Sequence, residues 1–200
     1  YRKGHHKPCF GSCGVSFLFL QDSTLIKPYM SINGIPVLSF VGRSKTGKTS
    51  LIERLIPIFC AKGIRVSVVK HHHLDFDIDI PGKDTYRFKQ AGAQTVIISS
   101  PNKIAVIKDA VREPKIEDII SKYATEVDVV IVEGYKKAKL PKIEVYVNRE
   151  NQPPVCLDDK YLLAIVTDLP FSARVPVFLR EDIEGISEFI FSHFSLSTSH

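Results

Sequence analysis

The 200-residue chain has no tryptophan, one methionine and only four cysteines. Cys9, Cys13, Cys60 and Cys156 are too few and too scattered for a disulfide framework, which points to a reducing cytoplasm. No apolar run approaches the ~18 residues of a membrane span, so no membrane partner is expected. Charge of one sign is also scarce in the main body. The formal net charge is +5, but residues 1–29 carry Arg2, Lys3, Lys7 and Lys27 against Asp22. That is +3, which leaves +2 for residues 30–200. The basic balance therefore carries no case for nucleic acid, and no nucleic-acid partner is expected. No period of 20–50 residues repeats, which excludes solenoids and arrays. What remains is 44% hydrophobic content in a length that buries one full core, hence one domain.

The first 29 residues look unlike the rest. Met30 is the only methionine, and a strand-like stretch begins just after it. Residues 1–29 are therefore expected to be a disordered or non-native extension, residues 30–194 the folded domain, and residues 195–200 a frayed tail. The basic start from Arg2 to Lys7 and the apolar Val15–Leu20 raise the idea of a secretory signal. Six apolar residues with no small-x-small cleavage site do not meet its requirements. Cys9 and Cys13 beside His5 and His6 lack the spacing of a recognised zinc pair.

The informative stretch is Val37 to Ser50: an apolar strand, a glycine-flanked loop, then a helix start. The loop fits G-x-x-x-x-G-K-[ST], with Gly42, Gly47, Lys48 and Thr49 at the fixed positions. Gly42 allows a tight exit from the strand, and Gly47 removes a Cβ where backbone must approach a phosphate. The amides from Gly42 through Arg43, Ser44, Lys45, Thr46 and Gly47 to Ser50 then form an anion nest on the positive end of a helix. Lys48 is placed to reach the outer phosphates and the Thr49 hydroxyl to bind Mg2+. A chance match on a surface turn would not supply the strand before and the apolar-periodic helix after.

That helix is expected over Lys48–Lys62, with Pro57 thinning it and Gly63 ending it, followed by a strand over Ile64–Lys70. Strand, loop, helix and strand make a βαβ unit, so the two strands should be parallel. Lys83–Ala93 reads as a short helix capped by Asp84. Gln94–Ser99 and Lys103–Ile107 read as an antiparallel hairpin at the sheet edge. Pro114–Tyr123 is a helix with proline near its first position. Lys142–Val147 and Leu162–Thr167 are strands, and Glu181–Phe194 is a closing amphipathic helix.

Two stretches carry candidate chemistry beside the loop. His71, His72 and His73 precede Asp75, Asp77 and Asp79, which alternate with Phe76, Ile78 and Ile80. In extended chain the carboxylates share one face and the apolar groups the other. The EF-hand pattern fails, because its sixth position is Ile80 and its twelfth Tyr86. Two readings stay open: a solvated acidic segment, or a site loop at the carboxyl end of a parallel strand. The second stretch, Val127–Tyr135, is a central-strand run. Asp128 opens it and Glu133 closes it, about 16 Å away at ~3.3 Å per residue. Only Glu133 lies at the phosphate-loop end, where it could orient a water or the Mg2+ shell. A plain salt bridge at the strand end is the competing reading.

GRSKTGKTSL, KHHHLDFDIDIPGKDTYRFKQAGA and VVIVEGYKKAKLPKIEV, in that order, resemble the molybdopterin-guanine dinucleotide biosynthesis protein B (MobB) family. The similarity runs from about Ile35 to Phe191 and is most specific between His71 and Asp84. It implies an α/β fold: a three-layer, mostly parallel P-loop NTPase-type sheet with helices on both faces. It further implies a homodimeric GTP-binding protein with weak hydrolysis and Mg2+. Its role would be to assist attachment of GMP to molybdopterin, giving the guanine dinucleotide form, beside a MobA-type nucleotidyltransferase. By this resemblance Asp79 and Glu133 lie near the γ-phosphate and the metal, and His71, His73 and Asp75 line the site or meet a partner. Guanine choice has no motif: Asn102-Lys103-Ile104-Ala105 lacks the aspartate and Thr167-Asp168-Leu169-Pro170 lacks the lysine, although Thr167 and Asp168 could still face the base. Two other functions compete. The three histidines motivate a nickel-chaperone-like metal-insertion GTPase. A small-molecule kinase would need clustered lid arginines, and those from Arg43 to Arg180 are scattered.

Overall fold

A computed structural model describes residues 31–72, 74–148 and 152–196. The expectations for residues 1–29, for His73 and for the end of the tail at 197–200 lie outside the described residues. In chain order the elements are β1 (Ser31–Ile32), β2 (Ile35–Val41), α1 (Lys48–Ala61), β3 (Val66–Lys70) and α2 (Asp84–Gln90). Then come β4 (Thr95–Ser100), β5 (Lys103–Lys108), α3 (Ile116–Tyr123) and β6 (Val129–Glu133). The chain finishes with β7 (Lys142–Tyr146), β8 (Leu162–Thr167), β9 (Val177–Leu179) and α4 (Ile183–Phe194).

Seven strands form one sheet in the order β3-β6-β2-β7-β8-β9, all parallel, with β1 antiparallel on the amino end of β2. β2 and β6 sit at its centre because they are almost wholly apolar and can be covered on both faces. Alternation sorts their side chains. Leu38, Phe40, Val129 and Ile131 pack on one side with Leu51, Leu55 and Phe59 of α1 and Ile186 and Ile190 of α4. Val37, Val130 and Val132 pack on the other with Ile116 and Ile120 of α3. The result is the three-layer α/β architecture that the sequence predicts. α1 runs through Pro57, which withholds the N–H owed to the Glu53 carbonyl on the exposed side.

Several local details differ from expectation. The β4–β5 hairpin forms, but as its own two-stranded sheet rather than along the seven-stranded edge. Asp84 lies in the first turn of α2 and Lys83 is the cap residue, with no side-chain cap bond; the carboxylate faces the helix dipole instead. Pro114 precedes the Lys115 cap of α3 rather than occupying its first turn. Two strands have no counterpart in the sequence reading. β1 turns into β2 through Asn33 (φ 54°) and Gly34 (φ 81°), the left-handed pair of a two-residue hairpin. β9 has only three residues and is held by pairing with β8.

Candidate nucleotide site

Parallel strands bring their carboxyl ends to one edge, and the candidate residues gather there. β2 delivers the glycine-rich loop. Gly42 has φ 141°, and a Cβ on it would collide with the Val145 carbonyl oxygen of β7. Gly47 has φ 82°, also left-handed, and caps α1 without a side-chain bond. Lys45 shares this conformation at φ 60°, and Thr46 Oγ1 donates to the Arg43 carbonyl at 3.0 Å, which pins the loop closed. Among the described residues no acceptor takes the backbone N–H groups from Ser44 to Ser50. Seven donors without an acceptor among the described residues, leading into a helix start with no acidic residue in its first turn, suit an anion.

Around this cradle stand four side chains. Lys48 Nζ donates to the loop's own carbonyls, Arg43 O at 2.7 Å and Gly42 O at 3.4 Å. Burial lowers its proton affinity, and the nearby Glu133 opposes that shift. Thr49 Oγ1 lies 3.0 Å from both carboxylate oxygens of Glu133. Glu133 is there because β6 pairs with β2 in a register that sets it opposite Phe40. Gly134 N then donates to Phe40 O, and Ser39 Oγ donates to Gly134 O at 2.7 Å. Lys70, ending β3, places Nζ 3.5 Å from Glu133.

The segment after β3 is only partly drawn in. His71 N donates to Glu133 O, its ring packs on Tyr135 at 4.3 Å, and Nε2 is 2.9 Å from Glu113. Gly134 makes room for it: a Cβ there would sit 3.1 Å from His71 Cβ. Among the described residues Asp75 accepts only the Phe76 amide. Asp79 Oδ1 accepts from Ile80 N and Thr85 Oγ1, each at 2.9 Å, and no hydrogen bond joins it to Thr49 or Glu133. Its Oδ2 is buried with no partner among the described residues. No group of three or more His, Cys, Asp or Glu side chains is gathered as for a metal ion among the described residues.

Comparison with known proteins is decisive at this point. The family profile "Molybdopterin guanine dinucleotide synthesis protein B" (MobB) matches residues 37–168, from β2 through β8. The chain belongs to the MobB family. A molybdopterin-guanine dinucleotide biosynthesis adapter protein of Escherichia coli (strain K12) is 34% identical over 160 residues, 78% of this chain and 91% of that protein. Its Haemophilus influenzae counterpart is 35% identical over 159 residues, 79% of this chain and 89% of that protein. A crystal structure of molybdopterin-guanine biosynthesis protein B superposes with TM-score 0.60 at 32% identity, covering 78% of this chain and 98% of that one. Bacillus subtilis MobB superposes with TM-score 0.63 at 23% identity, over 80% of this chain and 98% of that chain, a likeness of fold alone.

The MobB site has neighbours that sequence reasoning passed over. Arg180, just beyond β9, reaches across the loop: a Cβ on Gly47 would collide with its Nη1 and lie 3.3 Å from its Cζ. Its Nε donates to Asp168 Oδ1, and its backbone N donates to Thr167 O. Arg54 of α1 meets the Arg180 carbonyl at 3.4 Å and Glu181 at 3.0 Å. Arg54 thus lies beside the Arg180 backbone although 126 positions separate them in sequence. The only early signal was the Thr167-Asp168 strand end.

Proposed function

We propose that this protein is a GTP-binding adapter in the biosynthesis of molybdopterin-guanine dinucleotide. In this reading it acts in the step that attaches GMP to molybdopterin, beside a MobA-type nucleotidyltransferase. The observation that carries the nucleotide part is the row of unclaimed amides from Ser44 to Ser50 at the mouth of a parallel sheet. The pathway part rests on MobB membership and on the names of the relatives.

The residues divide the work. The amide row binds the phosphates, and Lys48 leaves the Gly42 and Arg43 carbonyls to face the outer ones. Thr49 and Glu133 are hard oxygen donors 3.0 Å apart, the donor type that Mg2+ takes, and they would hold that ion. Bound there, Mg2+ supplies charge neutralisation on the outer phosphates. Glu133 also accepts the proton side of a water and orients it, which gives weak hydrolysis. Asp79, whose Oδ2 has no partner among the described residues, is the further carboxylate that would serve the metal side, and the segment from His71 to Asp84, with His71, His73 and Asp75, would line the site or meet a partner. A homodimer fits the apolar surface on the hairpin, where Ile97, Ile98, Ile104 and Val106 are exposed.

The test is nucleotide binding by equilibrium dialysis with Mg2+. Lys48→Ala is expected to lose GTP binding while keeping the wild-type thermal transition. Unchanged affinity in that variant contradicts the proposal.

A further inference from the structure

Between β6 and β7 the chain crosses β2 in residues 134–141, at the sheet edge that carries the phosphate loop. The crossing opens on two left-handed residues, Gly134 at φ 103° and Tyr135 at φ 53°. A non-glycine residue holds that conformation where its surroundings impose it. The bonds of Gly134 to Phe40 and Ser39 sew the start of the turn to β2. Lys142 fixes the rest. Its side chain is 1% exposed, and its Nζ donates to the Lys136 carbonyl at 2.9 Å, the Ala138 carbonyl at 3.0 Å and Asp159 at 2.6 Å. An ammonium has three donors, and all three are spent on holding this backbone. Lys136, carried on it, is exposed, and among the described residues its own ammonium meets no carboxylate and no acceptor. Its charge nevertheless reaches Lys48 in the cradle and lowers the proton affinity there, as does that of Lys70. Lys137 and Lys139, on the same turn, are not among the charges that act on Lys48. Beside Lys48 there are thus two further ammoniums and one carboxylate, Glu133, which Lys70 already pairs. Like charges gathered in this way repel one another, and an anion between them removes that cost.

We propose that Lys136 is a catalytic residue of GTP hydrolysis at this site, meeting the negative charge that builds on the outer phosphates as the terminal bond breaks. The inference rests on the GTP reading above and adds the residue that favours the bond-breaking state over the bound one. In that reaction a water oxygen bonds to the γ phosphorus, and the bond from this phosphorus to the β–γ bridging oxygen breaks. The electron pair of the broken bond stays on the bridging oxygen, and so on GDP. The proton of the water passes through Glu133 to the released phosphate. Little covalent chemistry falls to the protein, so charge stabilisation decides the rate. The loop amides and Lys48 hold the phosphates before and during the reaction alike, and act on affinity. Lys136 differs, because a free ammonium on a long side chain closes on these oxygens as their charge rises, from a backbone that does not move. A contact that strengthens in the transition state raises the rate and leaves affinity nearly unchanged. Lys70 is less suited, since its ammonium is paired with Glu133 at 3.5 Å.

The test is single-turnover hydrolysis of GTP with Mg2+ and protein in excess, beside GTP affinity by equilibrium dialysis. It is run on the full chain and on Lys136→Met, Lys136→Arg and Lys137→Met. Lys136→Met is expected to slow phosphate release about 10- to 100-fold and to weaken GTP affinity by no more than about three-fold. Lys136→Arg should recover most of the rate, because it restores the cation. Lys137→Met should match wild type in both measurements. These lysines are exposed, so all three variants should keep the wild-type thermal transition. Wild-type hydrolysis in Lys136→Met overturns the assignment and leaves the GTP reading standing. The same holds if Lys137→Met loses as much, since only the net charge of the turn then counts, or if affinity falls as far as the rate. If wild type binds GTP and never cleaves it, the assignment falls alone. If wild type binds no GTP, the GTP reading itself fails and takes this one with it.

Discussion

β6 carries a carboxylate at each end, and the two are treated differently. At the amino end Asp128 is fully engaged: Arg65 donates to it through its backbone N at 2.7 Å, Nε at 3.1 Å and Nη2 at 2.8 Å. At the carboxyl end Glu133 meets one hydroxyl and a distant ammonium, beside a loop whose amides have no acceptor. One end of the strand closes its polar groups on themselves and the other leaves donors and acceptors aimed at a common space. Folding stability alone would favour the first arrangement at both ends. The second marks the end where something else completes the bonding.

That contrast can be broken by substitution. Lys48→Ala at the open end should lower GTP affinity by at least about 100-fold, as expected for a lost charge-assisted phosphate contact. Its melting temperature should stay within a degree or two of wild type, since among the described residues Lys48 donates only to its own loop. Glu133→Gln should lower GTP hydrolysis about ten-fold and binding less, measured by phosphate release. Asp128→Asn should leave both unchanged. Equal hydrolysis in wild type and Glu133→Gln would reduce Glu133 to a strand-end partner of Thr49. A fourth substitution probes the closed end again. Gly34→Ala meets no atom within 4 Å, so it should cost only the strain of φ 81°, about 1 kcal/mol, with nucleotide affinity intact. The smallest effect is in pH. The Arg65 hydrogen bonds hold Asp128 below its ordinary value of 3.8, so its stabilising contribution is present above that value. It is lost as pH falls through the lowered value, because the unfolded state then binds the proton more readily. Thermal unfolding followed down through pH 3.8 should therefore fall more steeply for wild type than for Asp128→Asn.

The parts of this molecule that local chemistry dictates were legible in the sequence. The loop from Gly42 to Thr49 declares itself because backbone approach to an anion demands glycine at fixed places. β6 declares itself because a doubly covered strand must be apolar throughout, and the placement of Asp128 and Glu133 at opposite ends follows from the rise per residue. What escaped depends on tertiary contact. β9 is three residues that become a strand only by pairing with β8. Without it nothing signals that Arg180 crosses to Gly47, 133 positions earlier in the chain. Asp84 resembled a cap, yet Lys83 takes the cap position and the aspartate moves one residue into the helix. The hairpin stands apart because apolar residues lie on both of its faces, Val96 and Ile98 on one, Ile97 and Ile104 on the other. The Asn33-Gly34 pair is a two-residue hairpin signal that the sequence reading passed over, and β1 was missed with it.

The central claim is that the main-chain amides from Ser44 to Ser50 grip a triphosphate. Amide-resolved hydrogen exchange with and without GTP and Mg2+ tests it most directly. The account predicts that protection rises most at these seven amides, above any change at the Asp128–Arg65 end. GTP binding that leaves them exchanging as before would contradict it.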